Sequence, residues 1–416
     1  MPSVEPVFSP LDDELELLSG ELSATLAEGV ARLGTRMPFA QAAAELAFFW
    51  GVELEETTVR RYTQAAGAAY VADQAAEVER LERDRPPAPT GPAVQYLSAD
   101  GAMVPLVGGE WAEVKTLAIG EVELRRGAVD VPEAHTTQLT YFSRLADAET
   151  FTRHAYVEAH RRGTESAGVV CAVQDGAEWE QRLVDVLRPD AVRILDFPHA
   201  VEHLTAAGQP VLGLGTPALR AWLDQQAHTL KHAADGVRQV LVALAQLPVH
   251  TASDPTAAVE ARDGAVAYFT KRLGQARYAA FQAAGYPIGS GSTESANKLV
   301  VEERLKGSGM HWARQNVNPL VALRTVACSD RWAEAWPRIT RRLRAQAQQR
   351  HRARRQRRHP PQQTVPATPP VANAPKPPVA AIPKRQHSKT VVNGRPTASH
   401  PWKGHRFIFG PSRRLS

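Results

Sequence analysis

Cysteine is almost missing from this 416-residue chain: only Cys171 and Cys328 occur. Two cysteines so far apart exclude a disulfide framework and an all-cysteine zinc site, and they fit a reducing compartment. No run of about 18 apolar residues is present, so no membrane-spanning helix is expected. The N-terminus, Met1-Pro-Ser-Val-Glu5, has no basic stretch leading into an apolar one, so a secretory signal is not expected and a cytoplasmic location is. No Gly-x-x-x-x-Gly-Lys-Ser/Thr phosphate loop and no Gly-x-Ser-x-Gly elbow occurs, and Gly213-Leu-Gly215 lacks the third glycine of a dinucleotide fingerprint; ATP use and hydrolase-type serine chemistry are not indicated. Acidic residues are missing where they matter most. From Pro337 to Ser416 there is no Asp or Glu but 19 Lys and Arg, which leaves 30 basic against all 44 acidic residues in the first 336, a net of −14 there. A wholly basic end on an acidic body serves a polyanion, and nucleic acid is the first candidate.

What is present divides into four regions. Residues 1–90 read as helical: Leu17, Leu18, Leu22, Leu26 and Val30 recur at helical spacing, Phe39–Trp50 is a second helix former, and a third helix restarts near Thr57 after Gly51. Arg85-Pro-Pro-Ala-Pro-Thr-Gly91 has the composition of a linker. Strands are then expected at Val94–Asp100, Trp111–Ile119 and Thr137–Phe142, a helix over Ala148–Arg162, a wholly apolar strand at Gly168–Val173, a helix over Ala177–Leu187, and a fifth strand at Ala191–Leu195. This is an α/β order. From His199 to about Gly285 the pattern returns to helix, and a Gly/Ser loop near Gly289 leads into another. Past Arg338 an arginine-rich run ends at Arg358, and nine prolines follow between Pro360 and Pro383. Residues 339–416 are expected to be largely disordered, with a basic start that can extend a helix.

The chemistry-bearing pattern is acidic residues at strand ends. Asp100 is expected to close the first strand and Asp175 the fourth, each followed by glycine. Either is also what a tight turn looks like. Two carboxylates on neighbouring strands, with a third from a helix, suit a pair of hard divalent ions, and such a pair suits in-line phosphoryl displacement. Glu294 falls in the first turn of the helix after the Gly/Ser loop, Lys298 one turn later, and Arg304 and Lys306 near its end beside Gly307. The plain alternative is a capped surface helix with charges matched to its dipole. His199 and His203 stand four apart, a spacing that also serves structural histidines, and zinc is not expected.

Asp-Gly after the first strand, Asp-Gly after the fourth, and Gly289-Ser-Gly-Ser-Thr-Glu-Ser295 running on to Arg304-Leu-Lys-Gly-Ser-Gly-Met-His-Trp312 resemble a DDE transposase of a bacterial insertion sequence, of the Kra group. The similarity spans about residues 94–336 and is most specific in the block around Glu294. The resemblance implies an α/β, ribonuclease-H-like mixed sheet over residues 91–338 with a helical insertion at about 200–285, two magnesium ions (manganese a substitute), and a catalytic, metal-holding triad of Asp100, Asp175 and Glu294. It implies double-stranded DNA as partner, both element ends and target, a homo-oligomer in the DNA complex, and a place with the nucleoid. Asp196, in Asp196-Phe-Pro-His199, competes with Asp175 for the middle position; Asp175 is preferred because its strand should lie beside the first, and Asp196 and His199 then become supporting residues.

DNA contacts are expected from several basic groups. Helix, Gly51 turn and Thr57–Tyr62 have helix-turn-helix spacing, with Arg60 and Arg61 set to reach phosphates or bases, although Glu53, Glu55 and Glu56 oppose this and glycine-joined helical hairpins are common. Lys298, Arg304 and Lys306 are candidates on the Glu294 helix, and Trp312 is a candidate for stacking on an unpaired base, with burial as its ordinary fate. The run 350–358, with Arg354 and Arg355, is expected to bind phosphates without sequence preference. Two rivals share parts of this pattern: a nuclease of the same fold that cuts without joining, and a non-catalytic DNA-binding protein derived from a transposase.

Overall fold

A computed structural model of the chain describes residues 22–126, 132–358, 391–392 and 395–396. Two units are distinguished, residues 1–358 and 359–416. In the second, the described residues are a two-residue strand pair, Val391–Val392 against Arg395–Pro396; past Arg358 the disorder expected over residues 339–416 falls, these four apart, on residues outside the described ones.

In the first unit, three helices come first: α1 (Ala24–Arg36), α2 (Phe39–Trp50) and α3 (Glu56–Asp84). Ser23 caps α1 through the Leu26 amide, and Gly51, at φ 63°, ends α2, the left-handed stop that glycine takes without strain. The helix after this turn is no short recognition helix: α3 runs 29 residues. The linker that follows is tied down rather than loose, with the Gly91 amide on the Ser166 hydroxyl at 2.8 Å.

Five strands form one mixed sheet: β1 (Val94–Pro105), β2 (Trp111–Arg126), β3 (Pro132–Arg144), β4 (Val169–Gln174) and β5 (Val192–Leu195), in the order β3-β2-β1-β4-β5. β1, β2 and β3 pair antiparallel, whereas β4 lies parallel to β1 and β5 parallel to β4. The parallel crossovers are made by α4 (Ala148–Arg161), between β3 and β4, and α5 (Glu178–Leu187), between β4 and β5. Alternation along β1 then decides what faces what. Leu97 and Ala99 join Leu117, Ile119, Phe151, Leu183 and Val184 on the α4/α5 side. Tyr96, Ala102 and Val104, with Cys171 and Val173, join the other side.

Beyond β5 lies an all-helical stretch: α6 (Phe197–Leu212), α7 (Pro217–His232), α8 (Gly236–Ala245), α9 (Pro255–Lys271) and α10 (Tyr278–Ala283). It has its own core, built on Leu204, Leu230, Val240, Leu244, Phe269 and Tyr278, and runs from Phe197 to Ala283. The chain returns through α11 (Gly291–Ala296), a π-helical segment (Asn297–Glu302) and the short α12 (Glu303–Leu305). It finishes with α13 (Arg314–Cys328) and α14 (Trp332–Arg358). α14 carries ordered helix well into the expected tail. Val300, Val301, Leu305, Val317, Leu320 and Val321 cover the second face of the sheet together with Ala27, Val30, Leu46, Val59 and Ala66 of the N-terminal helices. Residues 22–84 therefore share one core with the sheet.

Candidate functional site

Asp100 lies inside β1 rather than at its end. It pairs with Thr116 and Gly101 pairs with Lys115, and the ladder continues to Pro105. The turn reading of Asp100-Gly101 is thereby removed. The Glu113 carboxyl lies over Gly101, 2.1 Å from where a Cβ would stand. Asp175 follows the last residue of β4. β4 lies beside β1 and their ladder runs to Leu97 opposite Ala172, so Asp100 and Asp175 each stand three residues beyond the last paired residues of neighbouring strands. Both side chains are half-buried.

The helix after the Gly/Ser loop is fastened to β1 on the Asp100 side. The Tyr96 and Thr293 hydroxyls are 3.2 Å apart, both buried. One turn on, Asn297 Nδ2 donates to Asp100 Oδ2 at 2.7 Å. Glu294 sits in α11 between these two anchors; its side chain is outside the described residues. Asp100 Oδ1 accepts the Gly101 amide at 2.6 Å, and Asp175 Oδ1 accepts the Ala177 amide at 2.7 Å.

Glu180, on the first turn of α5, was not suggested by any sequence motif. It is 1% exposed, and burial first, then Asp175 and Asp100, push its carboxyl up to about 10. Its Oε2 has no hydrogen-bond partner among the described residues. Glu180 is therefore within electrostatic reach of both Asp175 and Asp100, and burial beside these like charges favours its protonated form.

The insertion holds the Asp175 turn in place. Tyr268 of α9 donates its hydroxyl to the Asp175 carbonyl at 2.7 Å, and Arg272 donates to the Gly176 carbonyl. Arg272 also lies 4.4 Å above the Tyr268 ring. Gly176 is at φ 96°, and a Cβ there would stand 2.1 Å from Arg272 Nε, so only glycine allows the guanidinium to approach. The His203 ring stacks on Tyr268 at 3.6 Å, and burial, His199 and Arg272 lower its pKa. His199 Nδ1 is 3.2 Å from Glu202. Among the described residues no group of three His, Cys, Asp or Glu is arranged to hold a metal.

Asp196 is 2% exposed and both its oxygens are committed. Oδ2 caps α6 by accepting the His199 amide at 2.9 Å, and Oδ1 accepts the Ser290 amide at 2.5 Å. It ties the loop before Glu294 to β5, which is a positioning role. β4, which Asp175 follows, lies beside β1, whereas β5, which Asp196 follows, is one strand farther out.

Two expected DNA contacts need correction. Arg304 is 1% exposed; its Nε and Nη2 donate to the Gly34 carbonyl at 3.2 and 3.1 Å, and its guanidinium lies over Phe39 at 4.6 Å and Trp312 at 5.2 Å. Burial lowers its pKa to about 10. Trp312 is 8% exposed and donates from Nε1 to the Leu305 carbonyl at 3.0 Å, while its backbone bridges to Leu106. Both lock the end of the Glu294 segment onto α1 and α2. Lys306 bonds Glu302 at 2.6 Å, whereas Lys298, Arg60 and Arg61 are exposed. Arg60 lines a cavity of about 430 Å³ with Phe39, Met310 and Asn316. Arg354 and Arg355 lie in α14; their side chains are outside the described residues.

Asn297 was legible in principle, three residues after Glu294 and so on the same helix face. Tyr268 and Arg272 had no local signal, because they reach the site from an insertion more than 90 residues away. No helix among the described residues is long and apolar enough to cross a membrane. No protein-family model matches this chain, and no curated protein sequence matches it significantly.

Proposed function

We propose that the chain is a DDE-type transposase with a ribonuclease-H-like catalytic domain, cutting DNA at the ends of its own element and joining the freed 3′ end to target DNA. The observation that carries the reading is the convergence on one sheet face. Asp100 on β1 and Asp175 just past β4 lie three positions beyond the last paired residues of two neighbouring strands, and the helix bearing Glu294 is bonded to Asp100 one turn later through Asn297. The strand order β3-β2-β1-β4-β5, with only β4 and β5 parallel to β1, supports it.

Oxygen donors gathered around Asp100 support magnesium as the ion, or manganese in its place. The donors are all oxygens: two half-buried carboxylates, with the buried Asn297 Oδ1 and Glu180 Oε2 unpartnered among the described residues. Hard divalent ions select such donors. Asp100, Asp175 and Glu294 would hold the ions. Bound there, magnesium supplies Lewis-acid activation of the attacking and leaving oxygens of an in-line displacement. The protein's own part is positional. Asn297 and the Gly101 amide orient Asp100, Tyr268 and Arg272 hold the Asp175 turn, and Asp196 fixes the loop that delivers Glu294.

A strand-transfer assay with a pre-cut donor end and magnesium tests this. Joined product is expected from the wild type, and neither cleavage nor joining from Asp100→Asn, Asp175→Asn or Glu294→Gln, with DNA binding retained. Full activity in these variants would overturn the reading, and cleavage without any joined product would replace it with a nuclease.

A further inference from the structure

Asn297 belongs to none of the motifs that single out the site, yet it touches a site carboxylate directly. Chemistry fixes which way its amide stands. A carboxylate oxygen accepts, and the group 2.7 Å from Asp100 Oδ2 is the Asn297 NH₂. The amide oxygen is then left over. Asn297 is 5% exposed, and its Oδ1 has no hydrogen-bond partner among the described residues. Native proteins rarely leave a buried acceptor empty unless water, an ion or a function accounts for it.

The backbone gives a second, independent sign. The α-helix changes to π-helix at Asn297 and remains so to Glu302. Such wide turns cluster at functional sites, because they re-aim a side chain at a cost in regular bonding. Fraying does not explain it, since Ala296, Val300 and Val301 are buried in the core around it.

We propose that Asn297 is a cation-site residue, its Nδ2 ordering Asp100 and its Oδ1 offering a neutral oxygen donor to the hydrated divalent cation that Asp100 holds. This rests on the reading of Asp100 and Asp175 as a cation centre. A neutral donor beside several carboxylates adds coordination without adding repulsion, and it suits an ion that keeps part of its water shell.

Full-length protein is titrated with Mn²⁺, following loss of the free-ion electron paramagnetic resonance signal, and is melted in EDTA and in Mn²⁺. Asn297→Ala is expected to weaken Mn²⁺ binding by about tenfold, the lower end of what outer partners of a metal site contribute. Asn297→Asp separates this role from simple orientation. It sets a carboxylate against Asp100, so it should melt lower than wild type in EDTA, yet bind Mn²⁺ at least as tightly and gain more melting temperature from it. An orienting amide alone predicts that Asn297→Asp binds Mn²⁺ no better than Asn297→Ala, and that result overturns the proposal. So does wild-type Mn²⁺ affinity in Asn297→Ala. Asp100→Asn reports on the centre itself: if it binds Mn²⁺ like wild type, the cation centre falls and this role falls with it, whereas loss in Asp100→Asn with no change in the Asn297 variants removes Asn297 alone.

Discussion

Arg304 shows how a residue type can mislead about a role. A guanidinium near a helix end, beside glycines, has the local signature of a surface phosphate contact. Its actual partners are the Gly34 carbonyl and two aromatic faces contributed by Phe39 and Trp312, and no sequence window contains them together. Replacing it by alanine strands that carbonyl and opens a void between two rings, which should cost about 3 kcal/mol. Urea denaturation measures this, and DNA affinity corrected for the folded fraction should be unchanged. A specific loss of DNA affinity at unchanged stability would return Arg304 to the DNA surface. His154 offers a second test at this scale. Burial first, then Arg144 and Arg153, lower its pKa below 6.5. The unfolded chain therefore takes up a proton near 6.5 that the folded chain resists, so the His154 contribution is fully present above that pH and is lost as acid is added below it. Stability measured from about pH 7.5 to about pH 5 should fall less in His154→Gln than in wild type; parallel curves would show that the histidine is unperturbed.

At the scale of elements, the insertion is part of the site and not an appendage. α9 reaches back across the chain to hold the Asp175-Gly176 turn through Tyr268 and Arg272. Tyr268→Phe keeps the ring stack with His203 and removes one hydrogen bond, so stability should drop by only about 1 kcal/mol. Strand cleavage should fall by about tenfold or more, because a small displacement of a reacting group costs rate far more than stability. Equal fractional losses, or no loss of rate, would reduce Tyr268 to a packing residue. The strands were legible where physics is local: the apolar run of β4 and the β-formers of β1 and β2 declare themselves by pattern. The continuation of β1 past Asp100 was not, because Asp-Gly looks like a turn, and only cross-strand pairing to β2 keeps it extended to Pro105. Asp100, Asp175 and the Glu294 segment could be picked out as local motifs, whereas Glu180, Tyr268 and Arg272 acquire meaning only once the insertion and α5 are folded onto the strand ends.

At the scale of the molecule, charge separates along the chain. The first 336 residues are net negative, and the 19 basic residues that follow begin on α14, whose early arginine Arg338 is spent on Asp73 at 2.7 Å. Beyond that anchor the helix continues to Arg358, and the sequence from 350 to 358 holds six arginines and no acidic residue. An acidic body repels DNA at long range, so under the proposed function this helix supplies the compensating attraction. Exchanging those six arginines for glutamine should weaken binding to any duplex alike. It should also flatten the plot of log affinity against log salt by as much as about 5, since each phosphate no longer neutralised takes about 0.9 from the slope. Preference for element ends over random DNA, measured as a ratio at one salt concentration, should stay constant, because phosphate contacts carry no sequence information. A change in that ratio with the slope intact would mean instead that the helix reads bases.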